Sequence, residues 1–295
     1  MNNYSYLQIA DFFFKIPSSV KLMKNYRPFL IASDKEEGLT SSVSIENGNL
    51  PSEQQRNGMK MIVDNQNIKI YRETTENGGY YIANRPEGRD ETYELYATST
   101  WNRVIFSKNC TDNNCPSEVI DLFIMLTFIY STAYHETVLL HASCIKLQED
   151  AVAFIGQSGA GKSTHSQLWL KYIPETSLLN DDQPAVRINS EGEIVIYGTP
   201  WSGKTHCYKQ EKATLKAVVR MVQAPYNQLT PMKRIILLKE LLSACSMMKA
   251  ETTSFEIITQ TLLKIAVQLT GFMLENKPEK EAVDLSYANT LGKVR

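Results

Sequence analysis

The chain has 295 residues, 43% of them hydrophobic and 21% charged, and a net charge of −1. This is globular composition, long enough for two domains or one large one, and without a basic stripe no nucleic-acid partner is expected. The first residues, MNNYSYLQIADFFFKIP, show no charged segment ahead of an apolar core, and the longest apolar run, residues 119–130, contains Asp121 and is too short for a bilayer, so neither a signal peptide nor a membrane is expected.

Residues 1–115 read as a β-rich N-terminal domain whose role the sequence does not reveal. Strands are expected at residues 6–16, 27–32, 68–72, 80–82, 92–98 and 103–106, with Gly78-Gly79 as a turn. Residues 34–67 are polar and carry Asn-Gly at 47–48 and 57–58, which predicts hairpin turns and exposed loop. Cys110 and Cys115 lack the second Cys/His pair that a tetrahedral site needs. The five cysteines read as reduced thiols, which points to a cytoplasmic location.

The texture changes at Pro116, where a second domain, 116–295, begins with a helix over residues 118–135. Strands at 138–147 and 151–155 are joined by Gln148-Glu149-Asp150. Gly156, Gln157, Ser158, Gly159, Ala160, Gly161, Lys162 and Ser163 then fit the phosphate-binding pattern G-x-x-x-x-G-K-[ST], with Thr164 following on a helix to 172. A strand that breaks into glycines and then a helix aims backbone N–H groups and the helix dipole at one point. A nucleotide phosphate suits that point, with Lys162 reaching the β- and γ-phosphates and Ser163 helping to hold Mg²⁺. His165, just beyond, reads as a solvated or packing residue.

A short strand at 177–179 stops at Asn180-Asp181-Asp182. A carboxylate at the end of such a strand helps hold Mg²⁺ in P-loop enzymes, and two adjacent ones allow one to bind metal while the other accepts a proton. An acidic turn before Pro184 is the plain alternative. His141, ending the run Val138-Leu139-Leu140, orients a phosphate or carboxylate, or is simply a hydrogen-bonded strand residue. Strands at 185–188 and 193–197 make a further hairpin. Gly198 to Thr205 repeats the glycine–lysine pattern, but Pro200 has no N–H to donate and Trp201 is bulky, so it reads as an ordinary loop. Lys204 and His206 face either the site or water. A strand at 216–222, helices at 232–249 and 253–269, a strand at 271–274 and a helix at 279–291 close the chain. Ile235, Leu238 and Leu242 mark one apolar helix face, and Ile258, Leu262, Ile265 and Leu269 the other.

A strand ending in His141, a hairpin, GQSGAGKST, a helix carrying Trp169, then Leu178-Leu179-Asn180-Asp181-Asp182: this order resembles the catalytic domain of HPr kinase/phosphorylase over about residues 130–290. That family resembles phosphoenolpyruvate carboxykinase in fold. The resemblance implies an α/β domain of α+β character with a mixed, largely antiparallel sheet around the P-loop. It implies an ATP- and Mg²⁺-dependent kinase acting on a hydroxyl, serine foremost, of a protein, peptide or small molecule. Gly156 to Thr164 would hold the nucleotide, Lys162 neutralise the transferring group, Asp181 act as base, Asp182 and Ser163 contact metal, and His141 lie near the phosphates. The HPr kinases are oligomers, so the apolar helix faces serve either packing or a homo-oligomer. Two departures count against HPr itself as substrate and against the reverse reaction. Residues 197–203 contain no acidic metal ligand, and the phosphorolysis loop is not recognisable. Two alternatives stay open: a catalytically silent nucleotide-binding regulator, and a carboxykinase-like phosphotransferase acting on a small carboxylic acid.

Overall fold

A computed structural model describes residues 3–32, 42–112, 114–203 and 205–292. The chain forms two compact units: Met1–His135 with Met248–Phe255, and Glu136–Met247 with Glu256–Arg295. The first unit therefore extends past the expected boundary at 115/116 and takes in the following helix, and it recovers a short segment from far along the chain.

The first unit runs β1 (Tyr4–Ile9), β2 (Phe12–Pro17), β3 (Leu30–Ile31), β4 (Ser42–Asn47), α1 (Glu53–Asn57), β5 (Lys60–Asp64), β6 (Ile68–Arg72), β7 (Tyr80–Asn84), β8 (Tyr93–Ala97), β9 (Arg103–Phe106) and α2 (Ser117–Ala133). The strands form one sheet in the order β3-β1-β2-β4-β9-β8-β7-β6-β5. Only the β2–β4 and β4–β9 pairs are parallel. Strand β8 shows why the sheet has one buried face: Tyr93, Leu95 and Ala97 alternate inward. Helix α2 is apolar almost all round, which suits a helix buried on most sides. Thr127, Ser131 and Thr132 survive inside it because each hydroxyl donates to the carbonyl four residues earlier.

Three expectations here need correction. The single strand at 6–16 is a hairpin that turns through Ala10 and Asp11, both at positive φ (51° and 64°). Residues 24–29 form a 3₁₀ helix, leaving β3 as two residues. The polar stretch 34–67, of which residues 34–41 lie outside the described residues, contains β4, α1 and β5 as well as loop. Helix α1 is started by a capping box between Ser52 and Gln55.

The second unit runs β10 (Thr137–Leu139), β11 (Ala142–Leu147), β12 (Asp150–Ile155), α3 (Lys162–Tyr172), β13 (Thr176–Asn180), β14 (Ala185–Ile188), β15 (Ile194–Tyr197), β16 (Lys212–Gln223), β17 (Gln228–Pro231), α4 (Arg234–Ala244), α5 (Thr252–Gln268), β18 (Thr270–Asn276) and α6 (Lys280–Thr290), with α5 starting in the first unit. The sheet order is β10-β14-β15-β16-β12-β11-β13, with β18 on β16 and β17 on β18. Only β12–β16 and β16–β18 are parallel, so the sheet is mixed and largely antiparallel, as expected. Strand β16 takes β12 along one edge. Its other edge takes β15 near residues 212–214 and then β18 over 217–223. Phe154, Trp169, Val219, Leu274 and Val283 share the core between sheet and helices.

The strand expected at 138–147 is interrupted at Leu140-His141, where His141 N–H donates to Ala244 O at 2.7 Å. The helix expected at 232–249 is shorter, and its buried face is Leu237 and Leu241, with Ile235 exposed. The face of α5 through Ile258, Leu262 and Ile265 is buried as expected. Among the described residues no helix is long and apolar enough to cross a membrane.

Candidate active site

Strand β12 is buried along Ala151 to Ile155 and ends in the glycine loop. Gly156 has φ of 150°, and a Cβ there would lie 2.9 Å from Met221 O, so the strand cannot turn away from β16 with any side chain at this position. Gly159 and Gly161 also have positive φ (80° and 94°), and Gly161 caps α3 from the left-handed region. Gln157, Ser158 and Gly159 are exposed, as are Ser163 and Thr164 on the first turn of α3. Lys162 is buried, and its Nζ donates to Gly156 O at 3.0 Å and Gln157 O at 3.4 Å. Burial lowers its pKa, opposed by the charges of Asp182 and Asp181. The lysine thus curls back over its own loop, close to both carboxylates.

Asn180, fully buried at the end of β13, shapes the acidic pair. Its Oδ1 accepts from the N–H groups of Asp182 and Gln183, each at 2.9 Å. Its Nδ2 donates to Thr199 Oγ1 at 3.2 Å and Trp201 O at 3.1 Å. Thr199 to Trp201 are therefore a bracket behind the acidic turn, and among the described residues no helix directly follows. Gly198 is needed there because a Cβ would meet Lys209 O at 2.2 Å. Lys204 lies outside the described residues. His206 is exposed, with its Nδ1 3.0 Å from the Tyr208 hydroxyl.

The two carboxylates have different surroundings. Asp181 is 6% exposed, with Oδ1 accepting from Ser143 Oγ at 2.8 Å and Oδ2 buried without a hydrogen-bond partner. Asp182 is half-exposed, 3.5 Å from His141 Nε2. Burial raises the Asp182 pKa, the charges of His141 and Lys162 oppose this, and Asp181 adds to it. Beside them a cavity of about 380 Å³ is lined by His141, the loop from Gly156 to Ser158, and the Arg220–Glu240 pair, whose Nε–Oε2 distance is 2.6 Å. His165 points away from this cavity into the core. It packs edge-on against Phe154, and its Nε2 lies 3.1 Å from the Trp169 indole nitrogen, so packing rather than solvation is its role. Sequence reasoning named Asn180 only as part of the run into the acidic pair, and missed Ser143, Ser166 and the pairing of Arg220 with Glu240.

The donor set fits a Mg-nucleotide. Positive-φ glycines leave the loop open, a buried lysine has only backbone carbonyls as partners, and a buried carboxylate oxygen lacks a donor. Among the described residues no group of three His, Cys, Asp or Glu forms a metal cage. Mg²⁺ does not need one, since it typically takes one or two carboxylates plus phosphate and water.

No family model matches this chain, and no curated protein matches it either. Among solved structures, the Hpr(Ser) kinase/phosphatase from Coxiella burnetii is similar over 50% of this chain and 85% of its own, at a TM-score of 0.30 and 8% identity. A likeness of that size carries no functional argument.

Proposed function

We propose that the protein is an ATP- and Mg²⁺-dependent phosphotransferase that moves the γ-phosphoryl group to a hydroxyl, with serine in a protein, peptide or free form as the preferred acceptor. The observation that carries this reading is the convergence of Lys162, Asp181 and Asp182 beside an open glycine loop, with Asp181 Oδ2 buried and unpartnered. Gly156 to Thr164 bind the triphosphate through backbone N–H groups and the α3 terminus. Lys162 leaves its carbonyl partners to neutralise the transferring group. Ser163 and Asp182 hold Mg²⁺, which supplies charge neutralisation of the phosphates, while His141 orients Asp182. Asp181 Oδ2 takes the acceptor O–H proton as the new O–P bond forms. The bond from the γ-phosphorus to the β–γ bridging oxygen breaks, and ADP leaves with the electron pair.

The carboxykinase-like alternative is disfavoured because Arg220, an arginine lining the cavity, is already paired with Glu240. A silent nucleotide-binding regulator is favoured by one observation, the lack of any acidic residue between Tyr197 and Gly203. ATP turnover with Mg²⁺, free serine and mixed serine peptides separates the readings. The kinase reading expects turnover that falls by at least about 100-fold in Lys162→Ala and Asp181→Asn, with nucleotide binding kept in Asp181→Asn. Tight ATP binding with no turnover on any hydroxyl would establish the regulator.

A further inference from the structure

Two hydroxyls hold Asp181 from behind. Ser143 on β11 and Ser166 on α3 are both fully buried, with Oγ atoms 2.6 Å apart. Ser143 Oγ is also 2.8 Å from Asp181 Oδ1. A hydroxyl has one proton and an ionised carboxylate only accepts, so Ser143 donates to Oδ1 and Ser166 donates to Ser143. The two oxygens of Asp181 are thereby distinguished: Oδ1 is occupied, and Oδ2 is buried with no partner. Ser166 stands four residues after Lys162 on α3, one turn along the same helix face. The chain Ser166–Ser143–Asp181 therefore links the acidic turn to the helix that the glycine loop begins.

We propose that Ser143, backed by Ser166, is a positioning residue that fixes the Asp181 carboxylate with Oδ2 presented to the acceptor hydroxyl. The proposal rests on the phosphotransferase reading above and adds how its base is oriented. Without the Ser143 hydroxyl, the Asp181 carboxylate is free to rotate toward other donors. A misplacement of about 1 Å at a reacting group costs roughly 100-fold in rate. A buried hydroxyl pair between a strand and a helix is otherwise an expensive way to fill space that alanine and valine fill more simply.

The test uses the full chain, ATP, Mg²⁺ and the best acceptor found for the wild type. Ser143→Ala is expected to lower kcat by about 10- to 100-fold with the KM for ATP changed less than about twofold. Ser143→Thr, which restores the hydroxyl, should recover most of that loss, and Ser166→Ala should cost only a few-fold. In an Asp181→Asn background, Ser143→Ala should add no further loss, because it acts through the group already removed. Thermal melts and ATP binding on every variant separate misfolding from misplacement. An active wild type with an unaffected Ser143→Ala, or a loss that is the same with and without Asp181, overturns this proposal and leaves the kinase reading standing. A wild type inert toward every hydroxyl overturns that reading, and this proposal with it.

Discussion

His165 is 1% exposed, and burial pushes its pKa down to about 4 from 6.5. The neutral ring fits its place, since Nε2 can accept from the Trp169 indole N–H only while unprotonated. The folded-state pKa lies below the unfolded one, so the unfolded chain takes up a proton first as pH falls. Stability is therefore full above about pH 6.5 and drains away between there and about pH 4, by about 3 kcal/mol at the order-of-magnitude level. Urea unfolding at pH 7 and pH 5 should show the loss, and His165→Gln, which keeps an acceptor without a titrating ring, should flatten the dependence. An unchanged slope in the variant would mean that other groups govern acid sensitivity. Of the residues around the glycine loop, those that follow a local pattern could be singled out from the sequence: the glycines, Lys162, Ser163 and the acidic pair. Ser143 and Ser166 were not, because their meaning depends on a strand and a helix meeting 23 residues apart.

At the scale of elements, the end of β13 carries much of the site. Asn180, itself fully buried, satisfies two N–H groups of the acidic turn and two groups of the 199–201 bracket. Asn180→Ala should leave several of these unpaired, at about 1–3 kcal/mol each before relaxation. The expected result is a urea midpoint lowered by the equivalent of about 3 kcal/mol together with a fall in turnover, since Asp181 and Asp182 lose their shared anchor. A variant with full stability and full activity would show that the turn holds itself. The same element marks the limit of local reading. Strand β13 was visible as Ser177-Leu178-Leu179, and so were β6, β14 and most of α5, because each has its own hydrophobic pattern. The β1–β2 hairpin was hidden, since Ala10 and Asp11 reverse the chain without glycine or Asn-Gly. The break at Leu140-His141 was hidden as well, because a partner backbone at Ala244 imposes it. The true inner face of α4 depended on the sheet it covers, and Ile235 misled because a helix of apolar residues offers more than one plausible side.

At the scale of the molecule, the first unit is completed by residues that come after most of the second. Glu251 has no exposed side-chain surface and pairs with Arg72 at 2.8 Å. Burial alone would raise its pKa, but the Ser254 hydroxyl and N–H and the Arg72 charge bring it below the ordinary carboxylate value. Nearby, the Tyr130 hydroxyl accepts from Met248 N–H at 2.7 Å. Glu251→Ala should therefore destabilise the protein by about 3 kcal/mol, more than Glu251→Gln does, as read by urea denaturation. A fragment ending at His135 should unfold broadly, and rejoining Met248–Phe255 through a short linker should restore a cooperative transition. Equal cooperativity in both fragments would make the returning segment ornamental. The pairing of β16 has a consequence for synthesis. Strand β12, which ends in the glycine loop, has its parallel neighbour at Thr214 to Arg220, and that neighbour waits in turn for Thr270–Asn276. A nascent chain that already includes its lysine and both aspartates still lacks the partner strand along one edge of β12. On the phosphotransferase reading proposed above, nucleotide binding needs β18 in place, and ribosome-stalled intermediates shorter than about residue 276 should not bind nucleotide.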